Sequence, residues 1–355
     1  MTRHRTEDPR MSGLHPLISP AVLIYYLPLT DQVSELVDAT RSQAEAIVRG
    51  TDDRLLVVVG PCTIHDPKGA LEYATRLKAL TNGLQDDILV IMRVYFEKSR
   101  TTVPWKGLIN DPTLDASFDI NSGLRCARGL LLDLANMGIP AGTEFLDTIV
   151  PRYLEDLVTW GEIGTRNTET EIYRELSSGL SMPVGLKNST GGSIQSALDA
   201  IQSASQSHHY LTVTKEGVSA IVTTAGNDTC HLILCGGTSG PNYDKASIKM
   251  AETRLRKQNL PPCLMVDCSH ENSSNDFRNS PRIARDLCQQ IAAGSRAITA
   301  VMIESNLVEG NQLLSSDLSR LTYGQSITDP CISWDTTVGV LEDFARAVRQ
   351  RRTQS

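Results

Sequence analysis

Short apolar segments that end in a charged or nucleophilic residue recur along this chain, separated by stretches with helical spacing. Eight of them, at 55–60, 88–93, 139–144, 162–166, 183–187, 210–214, 263–267 and 299–304, have the length and apolar content of buried strands. Stretches at 31–49, 124–137, 151–160, 193–204 and 282–293 carry the helical period. Strict alternation of this kind predicts an α/β chain with one parallel sheet closed into a (β/α)8 barrel. A doubly wound open sheet is the alternative, but no GxGxxG follows the first strand. Segments 219–222 and 231–234 exceed the count and predict a β-hairpin inserted after the sixth strand. Residues 1–50 read as an N-terminal arm and helix making an oligomer or regulatory contact, and 51–355 as the barrel.

At 355 residues the chain is long for one compact domain, yet within the range of such barrels. Its net charge of -7 argues against nucleic acid as a partner. No apolar run approaches the ~20 residues that cross a bilayer, so no membrane is expected. Residues 1–13 are polar and charged, unlike a secretory signal, and read as a flexible arm. The 8 cysteines show no CxxC spacing and read as reduced thiols of a cytoplasmic protein.

A parallel barrel carries its active site at the C-terminal ends of its strands. Those ends read Cys62, Arg93, Glu144, Arg166, Lys187, Lys215, His270 and Glu304. Cys62, His270 and Glu304, joined by Asp329 from SITDPCISW, could supply a thiolate, an imidazole and two carboxylates. That mixed soft and hard set suits a divalent Mn, Fe, Co, Cu or Zn ion and not Ca or Mg. A lone buried cysteine or histidine is more often ordinary core, so the set carries the reading and no single member does. Arg93, Lys98, Arg166 and Lys187 form a cationic floor for an anion, or else pair with Glu144 and Asp147. Arg93, Lys98, Arg100 and Lys106 crowd one short stretch, where guanidinium, ammonium and the Thr101 hydroxyl suit phosphate or carboxylate oxygens.

The motifs GPCTIHDP, MRVYFEKSRTTVPWKGLINDP, TEFLD, GLKNSTGG, VDCSHENSS, MIESNLVEGNQ and YGQSITDPCISW, in this order, resemble the type I 3-deoxy-D-arabino-heptulosonate-7-phosphate (DAHP) synthases. The likeness runs from about His15 to Arg351 and is strongest to the fungal and bacterial feedback-regulated branch. It implies a metal-dependent (β/α)8 enzyme that condenses phosphoenolpyruvate with erythrose 4-phosphate at the entry to the shikimate pathway. Carried over by motif, Cys62, His270, Glu304 and Asp329 would hold the metal. Arg93, Lys98, Arg166 and Lys187 would hold phosphoenolpyruvate, with Lys98 assisting proton transfer, and Glu144 would orient the attacking water. Arg100 and Thr101 would grip the sugar phosphate. The resemblance also implies a homodimer or homotetramer inhibited by phenylalanine or tyrosine. Phe145, Leu176, Leu180, Ser181, Tyr210, Thr212 and Val222 stand at the matching positions, unless they are plain core, and Ser181 favours phenylalanine.

The departures gather around the anion loops. In LILCGG, Cys235 stands where the family carries an arginine on the phosphoenolpyruvate phosphate. A neutral thiol there removes a charge-assisted contact worth about 1.5–3 kcal/mol. Ser99, Pro104, Thr165, Asn167, Ser189, Gly191, Glu271 and Asn275 also differ from the family pattern. Two readings stay open: a working synthase, or an impaired or acceptor-altered paralogue of a specialised pathway or regulatory role.

Overall fold

The computed structural model describes residues 10–98, 105–315 and 317–354. Two helices lead, α1 (Pro20–Tyr26) and α2 (Asp31–Val48), the second started by Thr30, whose Oγ1 accepts from the Val33 amide at 3.3 Å. Strands and helices then alternate: β1 (Leu55–Gly60), α3 (Pro67–Thr81), β2 (Ile88–Arg93), α4 (Ile120–Asn136), β3 (Ala141–Glu144) and α5 (Pro151–Leu154). The series continues with β4 (Trp160–Ile163), α6 (Glu171–Gly179), β5 (Val184–Lys187) and α7 (Gln195–Ala204). Next come β6 (His209–Val213), β7 (Ser219–Thr223), β8 (His231–Leu234) and α8 (Lys245–Lys257). β9 (Leu264–Asp267), α9 (Ser280–Ala292), β10 (Ile298–Glu304) and α10 (Trp334–Thr353) complete it.

Eight parallel strands close in the order β1-β10-β9-β8-β5-β4-β3-β2, which is the expected barrel. β1 is buried along its whole length because one face looks into the barrel and the other onto the helices. Leu56, Val58, Ile91, Trp160, Ile233, Met265, Ala300 and Met302 form one cluster of buried residues with Ala44, Ile47 and Val48 of α2, so α2 plugs the barrel interior. Gly185 is dictated by this crowding: a Cβ there would lie 2.4 Å from Ile233 Cδ1 and 2.7 Å from Trp160 Cζ2.

The hairpin sits one strand earlier than expected. The segment at 210–214 is not the sixth barrel strand: β6 pairs antiparallel with β7 in a separate two-stranded sheet, and β8 takes its place between β5 and β9. Exposure explains the difference. β6 alternates between exposed and buried residues, as a half-solvated ribbon does, whereas β8 is buried throughout, as a parallel strand must be. His231 disguises β8 in the sequence; burial presses its imidazole down to about 4, so it sits neutral against Trp160 Nε1 (3.2 Å) and the Thr229 carbonyl (3.2 Å). Lys215 therefore lies beyond the end of β6 rather than at a barrel exit, and Cys235 follows the true sixth strand.

The helix expected at 151–160 is also shorter. One α-turn and a 3-10 turn (Glu155–Leu157) give way to β4, which starts at Trp160 and ends at Ile163. β4 thus begins two residues before the expected 162–166, which moves Glu162 up the strand and leaves Arg166 in the loop beyond it.

Candidate active site

The strand ends deliver their side chains to one pocket of about 200 Å³, lined by residues that include Arg93, Lys98, Glu144, Glu162, Arg166 and Lys187. His270, Glu271 and Asp329 complete its charged lining. Arg93 and Glu304 are the last residues of adjacent-to-β1 strands β2 and β10, and both are buried. The Arg93 Nη2 donates to Glu304 Oε1 at 3.0 Å and to the Cys62 carbonyl at 3.2 Å, while the guanidinium rests 3.6 Å over the Tyr95 ring. Such a cation is pinned rather than free to swing.

Cys62, Glu304 and Asp329 each offer one donor atom, and the three atoms lie within 4.8 Å of one another. Lys98 sits among them, donating to Cys62 Sγ at 2.9 Å and pairing with Asp329, with Glu304 at 3.8 Å. Burial pushes the Cys62 thiol up, and the Glu304 carboxylate adds to it. Burial also pushes the Glu304 carboxyl up, but His270, Lys98 and Arg93 outweigh it and hold the group below its ordinary range. His270 stands beside this trio rather than within it: its Nε2 is 3.4 Å from Glu304 Oε1. The other ring nitrogen, Nδ1, meets Asp267 Oδ2 at 2.8 Å, the outer contact that fixes the tautomer of a metal-binding histidine. Burial and Lys187 press this imidazole down, and Asp267 with Glu304 carry it above its ordinary value. One thiol, two carboxylates and an adjacent oriented imidazole fit a divalent transition ion.

Three residues that the sequence reading passed over tie the floor together. Tyr95 Oη donates to Glu162 Oε2 at 2.6 Å, Glu162 Oε1 meets Lys187 Nζ at 2.9 Å, and Lys187 meets Asp267 Oδ2 at 3.1 Å. The run Tyr95–Glu162–Lys187–Asp267–His270–Glu304 is therefore continuous. Glu162 was hidden by the misplaced start of β4; Asp267, three residues before His270, carried a signal in its spacing. Burial pushes Glu144 up to about 7, and the Glu162 charge adds to the shift.

The expected residues do not all meet. Arg166 is exposed at the rim and, among the described residues, makes no ion pair. Arg100 and Thr101 lie outside the described residues. Cys235 is buried behind the pocket wall, its Sγ 3.6 Å from Thr165 Oγ1, and burial pushes its thiol up to about 12.

A second cavity lies outside the barrel, between α6 and the β6–β7 hairpin. Leu176, Leu180, Ser181, Tyr210 and Val222 line it together with Arg152. Phe145 is instead fully buried, and Thr212 turns its hydroxyl to the Thr148 carbonyl at 3.2 Å, so neither joins the lining.

The model of the DAHP synthetase I family matches residues 35–342. The chain is 52% identical over 349 residues to the Phe-sensitive phospho-2-dehydro-3-deoxyheptonate aldolase of Escherichia coli K12, covering 98% of this chain and 99% of that one. It is 49% identical over 352 residues to the tyrosine-inhibited enzyme of Candida albicans, covering 98% and 95%. The solved phospho-2-dehydro-3-deoxyheptonate aldolase of Francisella tularensis superposes with a TM-score of 0.94 at 50% identity, over 96% of this chain and 99% of that one.

Proposed function

The chain belongs to the DAHP synthetase I family, and from that premise we infer that it condenses phosphoenolpyruvate, erythrose 4-phosphate and water into DAHP and phosphate, the first step of the shikimate pathway. The observation that carries this reading is the convergence of Cys62, Glu304 and Asp329 beside the cations Arg93, Lys98 and Lys187.

Arg93, Lys98, Arg166 and Lys187 hold the carboxylate and phosphate of phosphoenolpyruvate, whose C3 attacks the aldehyde carbon of erythrose 4-phosphate. Cys62, His270, Glu304 and Asp329 are the residues that would hold a divalent ion; when bound it supplies Lewis acidity to a carbonyl oxygen. Lys98 reaches this donor set from the substrate side and serves proton transfer at the former aldehyde oxygen. Glu144 orients the water that adds to C2, after which the C2–O bond breaks and phosphate departs. Arg100 and Thr101 hold the sugar phosphate. The metal is one of Mn, Fe, Co, Cu or Zn.

We also assign the outer cavity to phenylalanine or tyrosine: its apolar lining suits an aromatic side chain, and Arg152 and Glu155 suit the carboxylate and ammonium of an amino acid. Residues 1–50 serve as an arm for contact with a second copy. The Ala21 amide donates to the Lys215 carbonyl at 2.6 Å, which ties α1 to the hairpin; Tyr25 and Tyr26 of α1 and Leu211, Val218 and Ile221 of the hairpin region are exposed. These exposed apolar side chains support a homodimer or homotetramer. No described helix is long and apolar enough to cross a membrane, and eight free thiols fit the reducing cytoplasm. The test is metal-dependent consumption of phosphoenolpyruvate with erythrose 4-phosphate. Undiminished metal affinity and activity in a Cys62→Ala variant would remove the assignment of the donor set.

A further inference from the structure

The cations that line the pocket are not equally available to a ligand. Arg93 is held by Glu304 at 3.0 Å, Lys98 by Asp329, and Lys187 by Glu162 at 2.9 Å and Asp267 at 3.1 Å. Arg166 alone of the four stands exposed and, among the described residues, without an ion pair. The arc of the pocket beyond β4, β5, β8 and β9 is otherwise lined by the neutral groups of Thr165, Asn167, Thr190 and Asn275, with Gly236, and by His270, which Asp267 holds at 2.8 Å.

Into that arc projects Glu271. It is exposed, lines the pocket, and makes no ion pair among the described residues. Its position depends on Gly236, whose left-handed φ of +78° lets the backbone pass beneath it; a Cβ there would lie 3.0 Å from Glu271 Cβ and 2.6 Å from the Asn272 amide nitrogen. Across this arc one cation is therefore offset by one carboxylate. A phosphate dianion entering it meets Arg166 and hydroxyl or amide donors, but also the Glu271 carboxylate, which no ion pair among the described residues holds.

Resting on the synthase reading, we propose that Glu271 is a specificity-determining residue that weakens binding of dianionic phosphate at this arc and favours a substrate presenting hydroxyl or ammonium donors there. The effect is Coulombic and solvent-exposed, so it is modest and screened by salt. It acts on binding and leaves the reacting groups alone.

Steady-state kinetics of the metal-loaded enzyme test this with Glu271→Gln and Glu271→Asp across a series of salt concentrations. The expected result is a Michaelis constant for phosphoenolpyruvate about two- to fivefold lower in Glu271→Gln at low salt, with kcat unchanged. The gap should close as salt rises, and Glu271→Asp should match the parent. An unchanged or raised Michaelis constant, or a salt-independent gap, overturns the proposal. Calorimetric titration of inorganic phosphate into parent and Glu271→Gln proteins decides it separately. If the parent turns over no phosphoenolpyruvate, the synthase reading fails, while tighter phosphate binding by Glu271→Gln still supports this role and equal binding ends it.

Discussion

Cys235 and Glu144 show how much one side chain can set. The buried Cys235 thiol stays neutral and contributes no charge to the adjoining pocket, where Lys187 is already committed to two carboxylates. Replacing it with arginine should lower the Michaelis constant for phosphoenolpyruvate by about tenfold or more, the worth of one charge-assisted hydrogen bond. An unchanged constant in a folded variant would show that Cys235 does not limit binding. Glu144, pushed up from an ordinary 4.5 to about 7, binds its proton more tightly in the fold than in the unfolded chain. Its contribution to stability is therefore full below about pH 4.5 and is lost as pH rises through about 7. Glu144→Gln should then gain stability relative to the parent between pH 5 and pH 8, read as a widening difference in Tm. If an ionised Glu144 is what orients water, kcat/KM of the parent should climb through about pH 7.

At the level of elements, the strands dictate which charges meet. Because β4 runs from Trp160 to Ile163, Glu162 sits near its upper end and reaches Lys187 on the adjacent β5. Glu162→Gln leaves Lys187 with Asp267 as its remaining carboxylate, so the loss in denaturant unfolding should be about 3 kcal/mol, the low end for a broken buried pair. Tyr95→Phe removes only the donor to Glu162 at 2.6 Å, and a smaller loss of about 1.5–3 kcal/mol is expected. Asp267 acts on His270 from outside the donor set, so Asp267→Asn should weaken metal binding about 10–100-fold, measured by competition with a chelating dye. The sequence made most of the strands legible, though not these pairings. Apolar runs such as LLVVVG gave their strands residue for residue. It failed over which strand closes the barrel: the alternating β6 passed for a barrel strand, and β8, which opens on the polar His231, passed for half of the hairpin. A neutral, partnered histidine in a strand cannot be told from a surface one without its neighbours.

Taken whole, the molecule keeps its charged pocket apart from its exposed apolar side chains. The barrel mouth carries the charged pocket, α2 plugs the interior with Ala44, Ile47 and Val48, and the hairpin and α1 stand outside with exposed apolar side chains. Which strand ends would carry reactive groups was readable from spacing; which of those groups pair with each other was not, because pairing depends on barrel closure. If the hairpin face joins two copies, Leu211→Glu with Ile221→Glu should yield a monomer in sedimentation velocity, with the barrel still folded by circular dichroism. The outer cavity borders that face, so the same variant should lose any inhibition by phenylalanine or tyrosine. The most direct measurement is release of inorganic phosphate from phosphoenolpyruvate in the presence of erythrose 4-phosphate, before and after chelation and with Mn(II) restored. One phosphate and one seven-carbon sugar phosphate per phosphoenolpyruvate, abolished by chelation and recovered with metal, is the predicted result. No metal-dependent turnover in either the parent or Cys235→Arg would contradict it.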